Sequence, residues 1–116
     1  FQTDFNENKT SNKDIATLLV KMYESKLVNQ ALTQEMIGFM DDSDFENRLP
    51  RLLPEDVKVY HKIGTEVGLI HDVGIISLPK NPYYLGIFTN DVSDDTEADK
   101  TIAEVSKMGY AFMVKQ

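Results

Sequence analysis

Apolar residues recur at helical spacing near the start of the chain. After the polar, aperiodic residues 1–9, Ser11 and Asp14 mark a helix start, because a serine hydroxyl caps a helix and an early acidic residue favours its positive end. The apolar positions that follow predict a helix that runs to about Lys26. Those positions are Ile15, Leu18, Leu19 and Met22.

A second stretch of helical spacing begins at Thr33 and stops in the acidic, turn-prone residues 41–44. Pro50 and Pro54 then preclude a long helix over residues 45–56, and we expect a short turn lying on apolar surface. The inward positions of the second helix are predicted to be Met36, Ile37 and Met40.

Three strand-like runs follow, at about 57–64, 70–78 and 82–90. Their connections are short, which suits antiparallel hairpins, since a parallel crossover needs about a dozen residues. Alternation predicts one face of the second and third strands with Val73, Ile75, Tyr83, Leu85 and Ile87. It predicts the other with Ile70, Ile76, Leu78, Tyr84 and Phe88.

Both predicted faces are apolar, so the sheet needs cover on both sides. A long last helix, capped by Ser93 or Asp94, would provide part of it. The pattern therefore predicts an α+β fold: a three-stranded antiparallel sheet, two N-terminal helices and a long C-terminal helix. The inward positions of the last helix are predicted to be Ala98, Ile102, Val105, Gly109 and Phe112.

The charge balance argues against two classes of partner. The chain has 12 basic and 19 acidic residues, a net charge of -7, and no basic stripe. Binding to nucleic acid lacks its electrostatic basis, and an anionic lipid surface would repel the chain. No apolar run approaches the roughly 20 residues that span a bilayer. We expect no nucleic acid partner and no membrane insertion.

Length and cysteine content narrow the chemistry further. At 116 residues the chain is one domain or less, and it contains no cysteine, which excludes disulfides and thiolate chemistry. It begins at Phe1 with neither an initiating methionine nor a signal segment. We expect that it was cut from a longer protein, or that only part of it is present.

The two histidines do not suggest a catalytic or metal site. His71 precedes Asp72, but neighbours on a strand point to opposite faces, and His61 points away from Lys62 for the same reason. We expect both histidines to be packing or surface residues. The acidic residues 41–46 lack the glycine and the bidentate glutamate of a calcium loop. We therefore predict no metal and no cofactor.

The tetrad Lys62-Ile63-Gly64-Thr65 ends the first strand-like run and nearly repeats the Lys-Thr-Gly triplet of penicillin-interacting serine enzymes. With its neighbours, it resembles the C-terminal portion of the class A β-lactamase-like, penicillin-interacting serine hydrolase family. The resemblance extends from about residue 8 to residue 115. The other matching positions are 10–16, Gly68, 71–74, 78–79, 82–85, Asp99 and Ile102.

The resemblance implies a role for each residue of the tetrad. Lys62 would be catalytic, placing positive charge where a substrate carboxylate binds and a proton moves. Gly64 would let the substrate backbone approach the strand, and the Thr65 N–H would be an oxyanion-hole donor. Ile63 departs from the family, which has a hydroxyl residue there to hold the substrate carboxylate. This departure puts ordinary β-lactam hydrolysis in doubt, and a solvated edge-strand lysine is the alternative interpretation of Lys62.

The family's nucleophile, the serine of a Ser-x-x-Lys motif at a helix start, has no convincing counterpart. The literal match, Ser77 with Lys80, precedes a turn at a strand end, and we do not expect it to be catalytic. The resemblance thus implies an incomplete single catalytic domain, with a sheet that is part of a larger one. Residues 1–56 would be a helical segment of its all-α part, and residues 57–116 the sheet and C-terminal helix of its α/β part.

The function implied is that of a C-terminal fragment of a serine hydrolase, inactive alone. The parent would form an acyl-enzyme with a β-lactam or peptide-like amide, in a bacterial extracytoplasmic or secreted location. The alternatives are a non-catalytic β-lactamase-like binding or interaction module and an unrelated small domain. Besides the substrate, the expected partners are a missing N-terminal segment or another copy of the chain, since an apolar face and a strand edge would be exposed.

Overall fold

The computed structural model describes residues 9–41 and 43–116, which form three helices and one antiparallel sheet. The predicted α+β class and order of elements are confirmed. No helix in these two ranges is long and apolar enough to cross a membrane. In chain order the elements are α1 (Asn12–Tyr23), α2 (Gln30–Asp41), β1 (Lys58–Glu66), β2 (Leu69–Ser77), β3 (Tyr83–Phe88) and α3 (Asp95–Met113).

Helix α1 begins where the sequence predicts but ends before Lys26. The side chain of Ser11 accepts a hydrogen bond from the N–H of Asp14 at 3.1 Å. At the other end, Ser25 has a left-handed φ of 57°, and the N–H of Lys26 bonds to the carbonyl of Lys21 at 2.8 Å. This left-handed cap closes the helix at its last turn.

Helix α2 starts three residues before the predicted Thr33. The side-chain oxygen of Asn29 accepts the N–H of Leu32 at 2.9 Å, and the Asn29 carbonyl accepts the N–H of Thr33 at 3.0 Å. Asparagine is among the preferred residues at a helix N-cap, so the correct start was present in the sequence as Asn29.

The sheet has the order β1-β2-β3, and both hairpins are antiparallel as predicted. The predicted grouping of side chains on its faces is wrong, because Ile75 lies opposite Tyr84 and Ile76 opposite Tyr83. Odd positions of β2 therefore share a face with even positions of β3. One face carries Val73 and Ile75 with Tyr84 and Phe88, and the other carries Ile70, Ile76 and Leu78 with Tyr83, Leu85 and Ile87.

Two apolar clusters cover these two faces. Helices α1 and α2 pack on the first face through Leu19, Met22 and Ile37, with Met36 and Met40 partly buried against them. Helix α3 and the turn at Leu49 pack on the second face. The sheet is therefore a middle layer between helices, as its two apolar faces require.

Helix α3 is capped by Asp94, whose carboxylate accepts the N–H of Thr96 at 2.9 Å. Its buried face differs from the prediction, because Val105 and Phe112 are exposed. The buried Ser106 hydroxyl donates to the Leu49 carbonyl at 2.8 Å, so a polar residue occupies the inward face without an unpaired group. The buried residues of α3 are Ala98, Ile102, Ala103 and Ser106.

Candidate functional site

Backbone hydrogen bonds define which groups face the open edge of β1. The N–H of Thr89 bonds to the carbonyl of Ile70 at 3.3 Å. Ile70 and every second residue after it on β2 therefore direct their backbone N–H and C=O groups toward β3. In an antiparallel sheet these directions alternate along the strand. His71 and every second residue after it on β2 therefore direct their backbone groups toward β1.

The tetrad Lys62-Ile63-Gly64-Thr65 lies in β1, at one edge of the sheet. Gly64 is opposite His71, so Gly64 and Lys62 direct their backbone N–H and C=O groups toward β2. Ile63 and Thr65 therefore direct their N–H and C=O groups away from the sheet. The backbone N–H of Thr65 is presented to whatever approaches this edge.

The Lys62 side chain is exposed at the same edge. Its Nζ donates to the carbonyl oxygen of Ile63 at 2.6 Å, which holds the ammonium group beside the outward-facing backbone. Lys62 lies on the opposite face of β1 from His61, as predicted, since adjacent strand residues alternate. A positive charge and an outward-facing N–H donor are thus three residues apart on one edge.

The described residues leave enough space at position 64 for a side chain larger than that of glycine. A Cβ at this position would lie 3.7 Å from the nearest atoms of His71, an ordinary van der Waals distance. Close approach by something outside the described residues is a better reason for a glycine in the middle of a strand.

Arg48 is the main residue that sequence reasoning missed. It is 2% exposed, and its Nη1 donates to the carbonyls of Gly64 at 3.2 Å and His71 at 2.8 Å. Its Nη2 donates to the hydroxyl of Thr65 at 2.8 Å, and its Nε pairs with Asp99 at 2.7 Å. The guanidinium therefore ties the end of the tetrad to α3 and places a positive charge behind Thr65.

Little in the sequence distinguishes Arg48 from Arg51. Both lie in the proline-containing stretch, and Arg51 is exposed. In the structure, Leu49, which follows Arg48, is fully buried, whereas Leu52, which follows Arg51, is exposed. That difference depends on tertiary packing and is not visible in the residue pattern.

His61 is buried and forms a hydrogen-bonded contact with Asp72. Its Nδ1 lies 2.9 Å from each carboxylate oxygen of Asp72, and Asp72 also accepts the N–H of Leu49 at 3.0 Å. The His71 side chain is not among the hydrogen-bond partners of Asp72 in the described residues, and its Nδ1 accepts the N–H of Thr89 at 3.1 Å. The His61–Asp72 contact therefore joins β1, β2 and the turn at Leu49.

The remaining candidates stay apart from the tetrad. Ser77 ends β2 with its hydroxyl 3.3 Å from that of Tyr23, and Lys80 is exposed in the connection to β3, so the two do not share a helical face. Asp41 pairs with Lys58 at 2.9 Å, and their hydrogen bond raises the pKa of Lys58. Asp42 lies outside the described residues, among which no group of three side chains could hold a metal ion.

Comparison with known families gives one match over nearly the whole chain. A model described as the beta-lactamase enzyme family matches residues 2–113. No curated protein matches the chain.

Several solved structures share the fold. A β-lactamase from Sphaerobacter thermophilus is 19% identical with a TM-score of 0.85, and the match covers 92% of this chain and 41% of that one. PBP-A is 24% identical with a TM-score of 0.79, at the same coverages of 92% and 41%. A β-lactamase from Francisella tularensis is 25% identical with a TM-score of 0.71, covering 95% and 47%. The chain thus spans less than half the length of these relatives.

Proposed function

The chain belongs to the β-lactamase enzyme family, and we propose that it is the C-terminal part of a serine hydrolase whose reaction cleft is lined by Lys62, Gly64 and Thr65. The observation that carries this proposal is the shared edge of β1, where the Lys62 ammonium group and the Thr65 N–H both face outward. The nucleophilic serine would come from the rest of the domain, which the longer relatives contain.

In the proposed reaction that serine attacks the carbonyl carbon of a β-lactam or peptide-like amide, and the C–N bond breaks to leave an acyl-enzyme. The negative charge that develops on the carbonyl oxygen would be stabilised by the Thr65 N–H together with a donor outside this chain. Lys62 would favour the anionic groups of the substrate and the proton movement at the serine. Water would then release the acyl group. The parent protein would act outside the bacterial cytoplasm.

Arg48 supports this role without touching the substrate. By bonding to the Gly64 carbonyl and the Thr65 hydroxyl, it fixes the part of β1 that carries the proposed oxyanion donor. Geometric precision of such donors matters, since losing one typically costs about 2.7–4 kcal/mol of transition-state stabilisation.

A non-catalytic binding module is the second candidate, and Ile63 favours it. A hydroxyl at this position would donate to a substrate carboxylate, whereas isoleucine leaves that group unpaired. The two candidates differ in whether the domain forms a covalent acyl-enzyme at all.

The experiment is labelling of the complete domain with a fluorescent penicillin. We expect a labelled band that disappears when the nucleophilic serine is replaced, and Lys62→Ala should slow labelling by about 10²–10⁴-fold. Lys80→Ala is the matched control, since Lys80 is an exposed lysine away from β1. Absence of any labelled band would refute the hydrolase proposal and favour the binding module.

Two variants at position 63 test the effect of having isoleucine where the family has a hydroxyl residue. Ile63→Thr should speed labelling by a substrate that bears a carboxylate, because a hydrogen bond to a charged group contributes about 1.5–3 kcal/mol. Ile63→Val has nearly the same shape without the hydroxyl and should leave the rate unchanged. Equal rates for the two variants would show that no carboxylate binds beside position 63.

A further inference from the structure

A cavity of about 160 Å³ lies beside the first half of β1, between this strand and the segment that connects α2 to it. It is separate from the tetrad, because no residue from Lys62 to Thr65 lines it. Its volume is below the roughly 300–1,000 Å³ of a site for a drug-sized ligand, so the cavity suits a small chemical group.

One wall of this cavity is the ring of His61, whose side chain is 2% exposed. Its Nδ1 lies 2.9 Å from both carboxylate oxygens of Asp72, and Asp72 also accepts the N–H of Leu49. Because a carboxylate accepts hydrogen bonds, Nδ1 is the donor of this contact. In a neutral imidazole ring the other nitrogen, Nε2, is then an acceptor.

The Nε2 atom of His61 has no hydrogen-bond partner among the described residues, since Nδ1 makes both bonds of the ring. The two nitrogens of an imidazole point to opposite sides of the ring. Nδ1 points to Asp72 on β2, so Nε2 points away from β2, toward the cavity that His61 lines. A buried acceptor without a partner is uncommon in folded proteins and indicates that a donor binds there.

The charged groups around the cavity favour a cation. Glu46 and Glu55 line it, and neither forms an ion pair with a residue that the structure describes. Asp41 also lines the cavity, but it pairs with Lys58 at 2.9 Å. Three carboxylates and one ammonium group leave an excess of negative charge beside the imidazole, which would repel an anion.

The arrangement fits an ammonium group better than a metal ion. Within residues 9–41 and 43–116, no group of three histidine, cysteine, aspartate or glutamate side chains could hold a metal ion. A zinc ion needs nitrogen and oxygen ligands at about 2.0–2.2 Å. An ammonium group instead donates three hydrogen bonds, with about 2.7–3.2 Å between the heavy atoms, and so accepts a wider spacing.

We propose that this cavity is a binding site for a primary ammonium group on a short apolar chain. One N–H donates to Nε2 of His61, and the other two donate to the carboxylates of Glu46 and Glu55. The apolar chain lies against Val57 and Val59, which line the same cavity. The site uses none of the residues proposed for the reaction, so it is independent of the hydrolase function.

Calorimetric titration with n-butylammonium chloride at low salt tests the proposal. We expect saturable binding of one ligand per chain, and n-butanol should not bind, since it lacks the charge. Glu46→Gln and Glu55→Gln change exposed side chains and should each weaken binding by about 3–10-fold. Glu104→Gln is the matched control: Glu104 is exposed on α3 and does not line the cavity, so the affinity should not change.

Nitrogen NMR of the two histidines measures the part played by His61. At about pH 8, above the usual histidine pKa of about 6.5, we expect Nε2 of His61 to carry no hydrogen in the free chain. Its resonance should move when n-butylammonium is added, whereas the resonances of His71 should stay unchanged as an internal control. A hydrogen on Nε2 of His61 under these conditions would overturn the proposal.

N-acetyl-lysine methylamide distinguishes two sources of the ammonium group. If this probe binds as tightly as n-butylammonium, the site accepts the lysine side chain of a peptide. If only n-butylammonium binds, the site accepts a small free amine.

Absence of binding by either probe would overturn the proposal, as would equal binding of n-butanol or unchanged affinity in both glutamine variants. Zinc chloride that shifts the His61 resonances where the amine does not would overturn it in favour of a metal site. The complete domain should bind n-butylammonium with the same affinity, because every residue of the site belongs to this chain, and loss of binding there would also count against it. These outcomes are independent of penicillin labelling, so the site and the proposed hydrolase function can fail separately.

Discussion

Replacing Arg48 with alanine should be among the most destabilising single changes in this chain. The substitution removes a guanidinium that makes hydrogen bonds to two carbonyls and one hydroxyl and an ion pair with Asp99. It leaves those acceptors facing a cavity that the alanine cannot fill. The loop, β1 and α3 then lose their common contact.

The magnitude follows from burial. Arg48 is almost fully buried, whereas the side chain of Asp99 is 20% exposed and can regain some water. Individual hydrogen bonds to charged groups contribute about 1.5–3 kcal/mol, but they share one side chain and do not add. Breaking a buried ion pair typically costs about 3–5 kcal/mol, and we expect a loss of unfolding free energy in that range. At about 4 °C per kcal/mol, this corresponds to about 12–20 °C in Tm.

Urea unfolding followed by circular dichroism measures the loss directly. Arg51→Ala is the control, since Arg51 is exposed in the same loop and its removal should change the free energy by less than about 0.5 kcal/mol. Arg48→Lys should recover little, because a lysine cannot reproduce the planar set of donors. The reasoning is refuted if Arg48→Ala costs no more than Arg51→Ala, or if Asp99→Ala is fully additive with it.

Three further predictions use the same unfolding assay. Gly74→Ala should destabilise the fold by about 3 kcal/mol, because a Cβ there would lie 2.6 Å from the Tyr60 carbonyl oxygen, and a loss below about 1 kcal/mol would contradict this. Ser25→Gly should stabilise it by about 0.5–1 kcal/mol, since Ser25 has a left-handed φ of 57°, and an unchanged midpoint would show that no strain is relieved. Burial raises the pKa of Tyr60, Tyr83 and Tyr84, so the neutral phenols favour the fold. Their contribution to the free energy of unfolding is present below the usual tyrosine pKa of about 10 and should be lost as pH rises through the higher pKa values of the folded state. A free energy of unfolding that does not change with pH in this range would contradict the prediction.

Local signals predicted the elements well, and tertiary contacts set what the sequence pattern missed. The cap at Ser11 and the short hairpins were readable because they depend on neighbouring residues. The pairing of Ile75 with Tyr84 was not, since one residue in the register exchanges the faces of a strand. The rotation of α3 likewise depends on the contact between Ser106 and Leu49, 57 residues apart.

In the candidate site, too, the residues that are neighbours in sequence could be predicted, and those brought together by tertiary contacts could not. The tetrad that begins at Lys62 could be found because its four residues are consecutive in the sequence. Arg48 could not, since its four partners lie on β1, β2 and α3 and come together only on folding. Sequence motifs identify residues that act as a segment, and they give little information about a side chain that supports the segment from a distant loop.

The bond between Asn12 and β3 has a consequence for how the chain is made. Asn12 and Gly86 are 74 residues apart, and Tyr84 donates to the same asparagine at 2.6 Å. During synthesis α1 leaves the ribosome before the sheet, yet its binding site on the sheet exists only after β3 has emerged. The hairpins need only local contacts and form earlier, because closing the longer loop costs more chain entropy. Helix α1 is thus expected to dock after the hairpins have formed, with its apolar side uncovered until β3 has been made.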